Sequence, residues 1–539
     1  MITLPREPGS WALAATARYR ALARRHWPFG VVLAAGMVLR VGAQIAYQPA
    51  LVYVDSARYL GADQHGLDPL GYSYLLLRPV LLAGGGLAVV AAVQHALGLT
   101  IAGCLYLLAM RLGASRWLAV LAAAPVLLDA YQVQAEQMIM PDVLFEALIV
   151  AAMALLLWQP DPERAHPERA DPGLARLASA SALLGVSATV RQVGELLALP
   201  LLGYVAISAH HWRPRTARGA TALAAFALPV AAYMALSAAV LGNGFRLSNM
   251  DDAYLYGRVA HAADCAALRV PAYERPLCPS PGTTAALGID GLATDPRSAV
   301  FSYRPPAGVS RGSATAQFDQ AVLTQQPLRV ARDVATDAIK LFALTRDTAR
   351  GDPPVSRWQF QIAYPAYRAA DATVLGLTRP RVVAPLARAL RAYQSHGGFT
   401  PGPLLLAFLF SAAMGGFCLR RHRTAALGCV LVTGLAAAAL LGADLYEFSW
   451  RYQLPALVTL PLAGVAGATI VIRNAVTRTS DAAGTMNRCT PNRKTSTPSP
   501  NPNRRSGRFR AASSTPTTGS GCAETTSSEA TGPAERTPS

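Results

Sequence analysis

Carboxylates and arginines gather at the ends of apolar runs in this chain, and their types suit one chemistry. Asp55 stands in Tyr53-Val54-Asp55-Ser56-Ala57-Arg58-Tyr59, directly after the first long apolar segment. Glu136 and Asp142 precede another apolar run, Arg191 and Glu195 stand between two more, and Glu447, Arg451 and Tyr452 precede the last. A carboxylate can take the proton of a hydroxyl, and arginine holds phosphate oxygens in a two-pronged fork. The set therefore suits a hydroxyl acceptor and a phosphate-bearing donor. An ionisable group in hydrocarbon costs roughly 2.5 to 3.5 kcal/mol at a helix centre and is a functional candidate by default. A solvated loop acid fits the position of Asp55 equally well.

The elements that must position these residues are membrane helices. The chain has 539 residues, 52% of them hydrophobic and 15% charged, with apolar runs of about twenty, the length a helix needs to cross a bilayer. This is the composition of an all-α, polytopic membrane protein. The net charge of +18 does not point to nucleic acid, because the arginines lie between apolar runs and in the two ends. The run from Trp27 to Tyr47 follows a basic stretch with Arg6, Arg18, Arg20, Arg24 and Arg25, and it is too long and lacks the cleavage pattern for a removed signal. It carries Arg40 and Gln44 on one helical face, expected to look into the bundle. Gly71 to Arg78 reads as an interfacial helix before a second span ending near Met110. Further spans are expected near 117–130, 141–158, 174–190, 192–209, 219–241, 402–419, 424–442 and 452–472.

That makes about ten spans. With the N-terminus inside, Arg111, Arg116, Arg164, Arg169, Arg176, Arg213, Arg215, Arg218, Arg420, Arg421 and Arg423 all fall on the inner side, as the positive-inside rule requires. The candidate residues fall together on the outer side, and so do Arg58, Arg78, Arg191 and Arg451, against the rule. The organisation read from this is a basic inner N-terminus (1–27), a membrane core (28–241) with its first outer loop at 48–77, an outer segment (242–400), three closing spans (401–472) and a tail (473–539). The tail is poor in apolar residues and rich in Ser, Thr, Pro and Asn, so disorder on the inner side is expected, with ten basic residues against four acids able to lie on anionic lipid. Helical pieces are expected around 315–346 and 357–391, with 328–345 able to lie at the interface as an amphipathic helix. Cys265 and Cys278 are the two cysteines of the outer segment, and a disulfide between them would close a short loop in an oxidising compartment.

Five pieces of the sequence together resemble a family. Arg40 and the Asp55-Ser56-Ala57-Arg58-Tyr59 loop come first, then Gly71-Tyr72-Ser73-Tyr74-Leu75-Leu76 running to Val93-Gln94-His95-Ala96-Leu97-Gly98, then Met140-Pro141-Asp142-Val143-Leu144-Phe145, then Thr189-Val190-Arg191, and last Arg451-Tyr452-Gln453-Leu454-Pro455. Their order and spacing resemble the GT-C glycosyltransferases that use lipid carriers, among them protein O-mannosyltransferases and aminoarabinose transferases. The resemblance implies a membrane enzyme of the cell envelope that takes a sugar from a polyprenyl phosphate on the outer face, inverts the anomeric centre and passes it to an extracytoplasmic hydroxyl of a glycan, lipid or protein. By it Asp55 is the catalytic base and Asp142 the second acid, Arg58 and Arg191 are phosphate or acceptor contacts, and Arg451-Tyr452 is the pair near the donor. Many mannosyltransferases of the family have Asp-Glu in the first loop, whereas Ser56 follows Asp55 here. No Asp-x-Asp or His cluster with ligand-like spacing is present, so no cofactor is expected, a divalent metal not being excluded.

A transporter or flippase of an envelope precursor is the other class that fits a polytopic chain. It would show repeated halves and polar groups at mid-membrane. The sequence has no internal repeat, and its polar groups sit at the ends of the apolar runs.

Overall fold

The computed structural model describes residues 8–52, 55–62, 68–158, 173–208, 212–242, 244–248, 251–349, 351–364, 381–418 and 423–488. Tyr53, Val54, Arg164, Arg169, Arg420, Arg421 and the tail beyond 488 lie outside them. The chain divides into two compact units, Met1–Ser480 and Asp481–Ser539, and every candidate residue belongs to the first.

The apolar runs fold as helices. In order they are α1 (Pro8–Ala46), α2 (Arg78–Leu82), α3 (Leu87–Arg111), α4 (Arg116–Leu128), α5 (Ala130–Gln137), α6 (Asp142–Leu157), α7 (Leu174–Val190), α8 (Ala198–Ser208) and α9 (Trp212–Leu236). Between α1 and α2, a two-residue strand β1 (Tyr47–Gln48) pairs antiparallel with β2 (Arg381–Val382). The outer segment adds α10 (Asp251–Ala262), α11 (Pro281–Thr294), α12 (Ala299–Ser302), α13 (Arg311–Gln325), α14 (Pro327–Ile339) and α15 (Ala384–Ser395); α16 (Gly402–Gly416), α17 (Arg423–Asp444) and α18 (Leu454–Arg488) close the chain.

Local chemistry sets the breaks. Pro28 lies inside α1, where its ring meets the preceding turn, and the helix departs from helical geometry at His26. The glycines at 84–86 separate α2 from α3, so the long run 71–110 becomes a short helix and a long one. Asp129 ends α4 and caps α5, its carboxylate accepting from Tyr131 N at 2.9 Å, and the two helices meet at a 50° bend. The pieces expected at 315–346 and 357–391 are shorter than the sequence suggested. Pro327 lacks an N–H and its ring restricts Gln326, so α13 and α14 are separate helices. In the second piece residues 355–358 form one 3-10 turn, 365–380 lie outside the described residues, and α15 starts at Ala384 with Pro385 in its first turn.

Among the described residues five helical stretches are long and apolar enough to cross a membrane: Arg20–Ala46, Leu87–Arg111, Pro214–Val240, Ala425–Asp444 and Leu454–Thr477. The bent pair α4–α5 makes a sixth if taken as one span. The other expected spans fall on shorter apolar helices, α6 to α8 and α16. Two hydrophobic cores result. One runs through the membrane helices, and a smaller one, with Tyr256, Leu277, Leu292 and Phe318, belongs to the outer segment.

Inside the bundle Arg40 behaves as its position on α1 predicts. It is 2% exposed, donates to the carbonyls of Gly36, Val126 and Leu127, and pairs with Glu136 at 2.6 Å. His95 reaches the other oxygen of Glu136 at 2.9 Å, and Gln94 donates to the carbonyls of Glu136 and Met138. A buried charge needs such a set of partners, and here the set ties α1, α3, α4 and α5 together.

Candidate active site

Four chain turns deliver the candidate side chains to one place. Leu51 N donates to Gln137 O and Ile139 N to Leu51 O, both at 3.0 Å, which ties the first loop to the segment entering α6. Tyr364 adds a clamp, its hydroxyl accepting from Val52 N at 2.9 Å. This brings Asp55 close to Asp142, the first residue of α6, where a carboxylate also faces the positive end of the helix. Arg191 caps the far end of α7 in extended conformation, and the chain then folds back in a 3-10 turn over 192–197. Gly194 allows that turn, since a Cβ there would stand 2.6 Å from Ala188 N. Arg451 and Tyr452 lie in the turn entering α18, closed by Tyr452 N donating to Ser449 O at 2.9 Å.

The charges form one alternating row. Arg58 touches Asp68 at 2.5 Å, without hydrogen-bond alignment, and donates to Asp55 Oδ1 at 2.7 Å. Arg451 Nη1 donates to Asp55 Oδ2 at 2.5 Å, and its Nε donates to Asp142 at 2.9 and 3.1 Å. Arg191 closes the row on Asp142 Oδ1. Arg451 is thus the bridge between the two acids. Tyr452 lies under both guanidinium groups, 4.9 Å from Arg191 and 5.5 Å from Arg451, and Trp358 lies 5.5 Å from Arg451. Burial raises the pKa of Asp55, but Arg451 and then Arg58 more than offset it, so the carboxylate stays ionised below its ordinary range. The same carboxylates hold Arg58 and Arg451 protonated against the opposing effect of burial. Burial keeps the phenols of Tyr59 and Tyr452 protonated.

A cleft of about 1020 Å³, open solvent at its mouth included, exposes this row. Asp55, Arg58, Tyr59, Arg191, Arg451 and Tyr452 line it. Asp142, 1% exposed, sits behind Arg451. Two candidates are not part of it. Glu136 is held in the bundle by Arg40 and His95, and Glu195 is exposed on the 3-10 turn and does not line the cleft. Position at a helix end does not tell which way a side chain turns. The sequence reading also missed liners: Asp68 from the first loop, and Tyr254, Asp290, Arg357 and Trp358 from the outer segment. Tyr254 and Trp358 are aromatic, a residue type suited to lining a sugar groove. Among the described residues no group of three or more His, Cys, Asp or Glu is placed to hold a metal.

The carboxylates offer a proton acceptor, the guanidiniums a seat for phosphate, and the aromatic faces a platform for a ring. Residues 86–241 match the family model of dolichyl-phosphate-mannose-protein mannosyltransferases. The match lies within the membrane core and covers less than a third of the chain. The matched span includes Asp142 and Arg191 and ends before the outer segment. Of the sequence pieces that carry the resemblance, Val93–Gly98, Met140–Phe145 and Thr189–Arg191 lie inside the matched span, and the Asp55 and Arg451 pieces lie outside it. A solved archaeal oligosaccharyltransferase, AglB from Archaeoglobus fulgidus in complex with an inhibitory peptide and a dolichol-phosphate, is similar at 12% identity and a TM-score of 0.40. The likeness covers 88% of this chain and 53% of that one, so the chain spans about half the length of the protein it matches. No curated protein matches the sequence.

Proposed function

We propose that this multi-pass membrane protein transfers a sugar from a polyprenyl phosphate to a hydroxyl acceptor on the outer face of the cell membrane, with inversion at the anomeric carbon. The observation that carries the reading is the Arg451 bridge, which puts Asp55 and Asp142 on one guanidinium at the cleft. An apolar groove lies next to it. Leu70, Tyr74, Val186, Thr189, Pro229, Tyr233 and Val240 line the groove, while their chain neighbours Pro69 and Val190 line the cleft. A phosphate held by arginines beside a groove of this kind suits a lipid-linked donor.

In the reaction the acceptor oxygen attacks the anomeric carbon from the face opposite the phosphate. Its proton passes to Asp55, the bond from carbon to phosphate oxygen breaks, and the electron pair leaves with the polyprenyl phosphate. Arg58, Arg451 and Arg191 take up the charge that develops on that phosphate. As Arg58 and Arg451 turn to the phosphate they loosen from Asp55, which then becomes a better base. Asp142 positions Arg451 and Arg191. The outer face is supported by the disulfide between Cys265 and Cys278 in the segment that supplies Tyr254, Asp290, Arg357 and Trp358 to the cleft. The arrangement has ten spans, both ends inside and residues 242–400 outside.

The test is turnover of a polyprenyl-phosphate sugar by purified protein in lipid. Asp55→Asn keeps the shape and removes the base, so turnover is expected to fall by about 100- to 10,000-fold with donor binding little changed. Near-normal turnover by folded Asp55→Asn protein would overturn the mechanism.

A further inference from the structure

A second carboxyl pair lines the same cleft and takes no part in the proton transfer or in holding the phosphate. Glu447 comes from the turn after α17 and Asp290 from α11, and both stand on the cleft wall with Tyr254, Arg357 and Trp358. Glu447 is only 7% exposed, and Asp290 is among the groups that act on its carboxyl. Burial and this acidic neighbour favour the protonated form of Glu447, which can then donate to Asp290. Arg357 lies 3.5 Å from Asp290 Oδ2 and sets a cation beside that carboxylate. The second oxygen of Glu447, Oε2, is buried with no hydrogen-bond partner among the described residues. A buried acceptor of this kind is costly to leave unmet.

We infer that Glu447 and Asp290 are specificity-determining residues that recognise a sugar or acceptor hydroxyl in the cleft, with Glu447 Oε2 accepting the hydrogen bond of that hydroxyl. The inference rests on the glycosyl-transfer reading. The hydroxyl belongs either to the transferred sugar or to the acceptor, and the chemistry of recognition is the same. The charge balance selects a neutral partner. A cationic amino group would be matched by an ionised Glu447, and the surroundings oppose that: burial first, then Asp290 and Asp55, raise its pKa well above the ordinary value, with Arg357 acting the other way and the Tyr254 and Tyr452 phenols facing it. Phosphate is excluded from this end by the same carboxyls and belongs with the arginine row.

Full-length wild-type protein, Glu447→Gln and Glu447→Leu are compared in lipid with a polyprenyl-phosphate hexose, with and without a hydroxyl acceptor. Glutamine keeps a carbonyl oxygen for the ligand and donates its N–H to Asp290, so Glu447→Gln is expected to stay within a few-fold of wild type. Leucine removes the acceptor atom, and kcat/KM is expected to fall roughly 10- to 100-fold. If the hydroxyl is the sugar's, donor hydrolysis without acceptor falls in parallel; if it is the acceptor's, hydrolysis is retained and only transfer falls. Wild-type activity should also decline at alkaline pH as Glu447 ionises, a decline that Glu447→Gln lacks. The inference is overturned if Glu447→Leu matches wild type in both assays, or if folded Glu447→Gln is as impaired as Glu447→Leu. A wild-type protein that neither binds nor turns over any polyprenyl-phosphate sugar instead sinks the glycosyl-transfer reading, and this inference with it.

Discussion

Arg451 explains why single residues in this cleft do not act alone. Each of its nitrogen edges holds a different acid, so loss of either acid leaves one edge of a buried guanidinium unmet. Arg191 also pairs with Asp142, and its truncation leaves that carboxylate to Arg451 alone. Arg191→Ala is expected to raise the donor KM by about tenfold or more, and Arg191→Lys to restore little, since lysine lacks the planar fork. Donor titrations of the two variants decide this; full rescue by lysine would contradict it. Asp55 also makes the row sensitive to acid. Its pKa is depressed in the folded protein, so the unfolded chain takes up the proton first, and the stability it contributes is present above the unfolded value and lost as pH falls through the folded one. Thermal unfolding in lipid should therefore weaken below about pH 4, the ordinary carboxylate range, and Asp55→Asn should lack that component of the slope.

At the scale of elements, the site depends on helices approaching closely where side chains are small. Gly71 meets the last turn of α7 so tightly that a Cβ would stand 2.4 Å from Thr189 O, and this contact sets the first loop against the segment carrying Arg191. The same region shapes the apolar groove. Ala232 on α9 lines it opposite the 70–75 segment. Ala232→Trp fills the groove without touching the charged row, so donor KM should rise while turnover at saturation stays near wild type. A proportional fall in turnover with unchanged KM would show that the groove does not take the lipid. The Asp129 bend works differently: Arg346 from the outer segment reaches that carboxylate at 2.9 Å and lies 4.2 Å from the Tyr131 ring, holding the outer segment to the start of α5.

At the scale of the whole molecule, residues 242–400 supply Tyr254, Asp290, Arg357 and Trp358 to the wall of the cleft. Arg258, buried in α10, donates to Asp333, Asp337 and the Asp444 carbonyl, joining the small outer core to the end of α17 just before Glu447. That placement makes topology a functional matter. A reporter active only after export should work when fused after Gly312 and fail when fused after Arg473; the reverse at either position would break the proposed arrangement. In unreduced protein Cys265 and Cys278 should resist alkylation, while Cys104, Cys418 and Cys429 carry free thiols, which mass spectrometry reads directly.

Apolar run length decided the fold class, because a bilayer leaves a twenty-residue apolar segment little choice but a helix. Residue type and sidedness then marked Asp55, Arg58, Tyr59, Arg191, Arg451 and Tyr452, all of which line one cleft. Glu136 had the same credentials and turned the other way, since facing is set by which helix packs beside it, and α1 offered Arg40 at 2.6 Å. That Asp290 shares the cleft with Glu447 was beyond sequence reasoning for a related reason. Asp290 and Glu447 are 157 positions apart, and nothing local in either stretch records that α11 closes over the turn after α17. Composition and periodicity act within a segment, whereas ion pairing and shared protons depend on distances that only the packed chain sets.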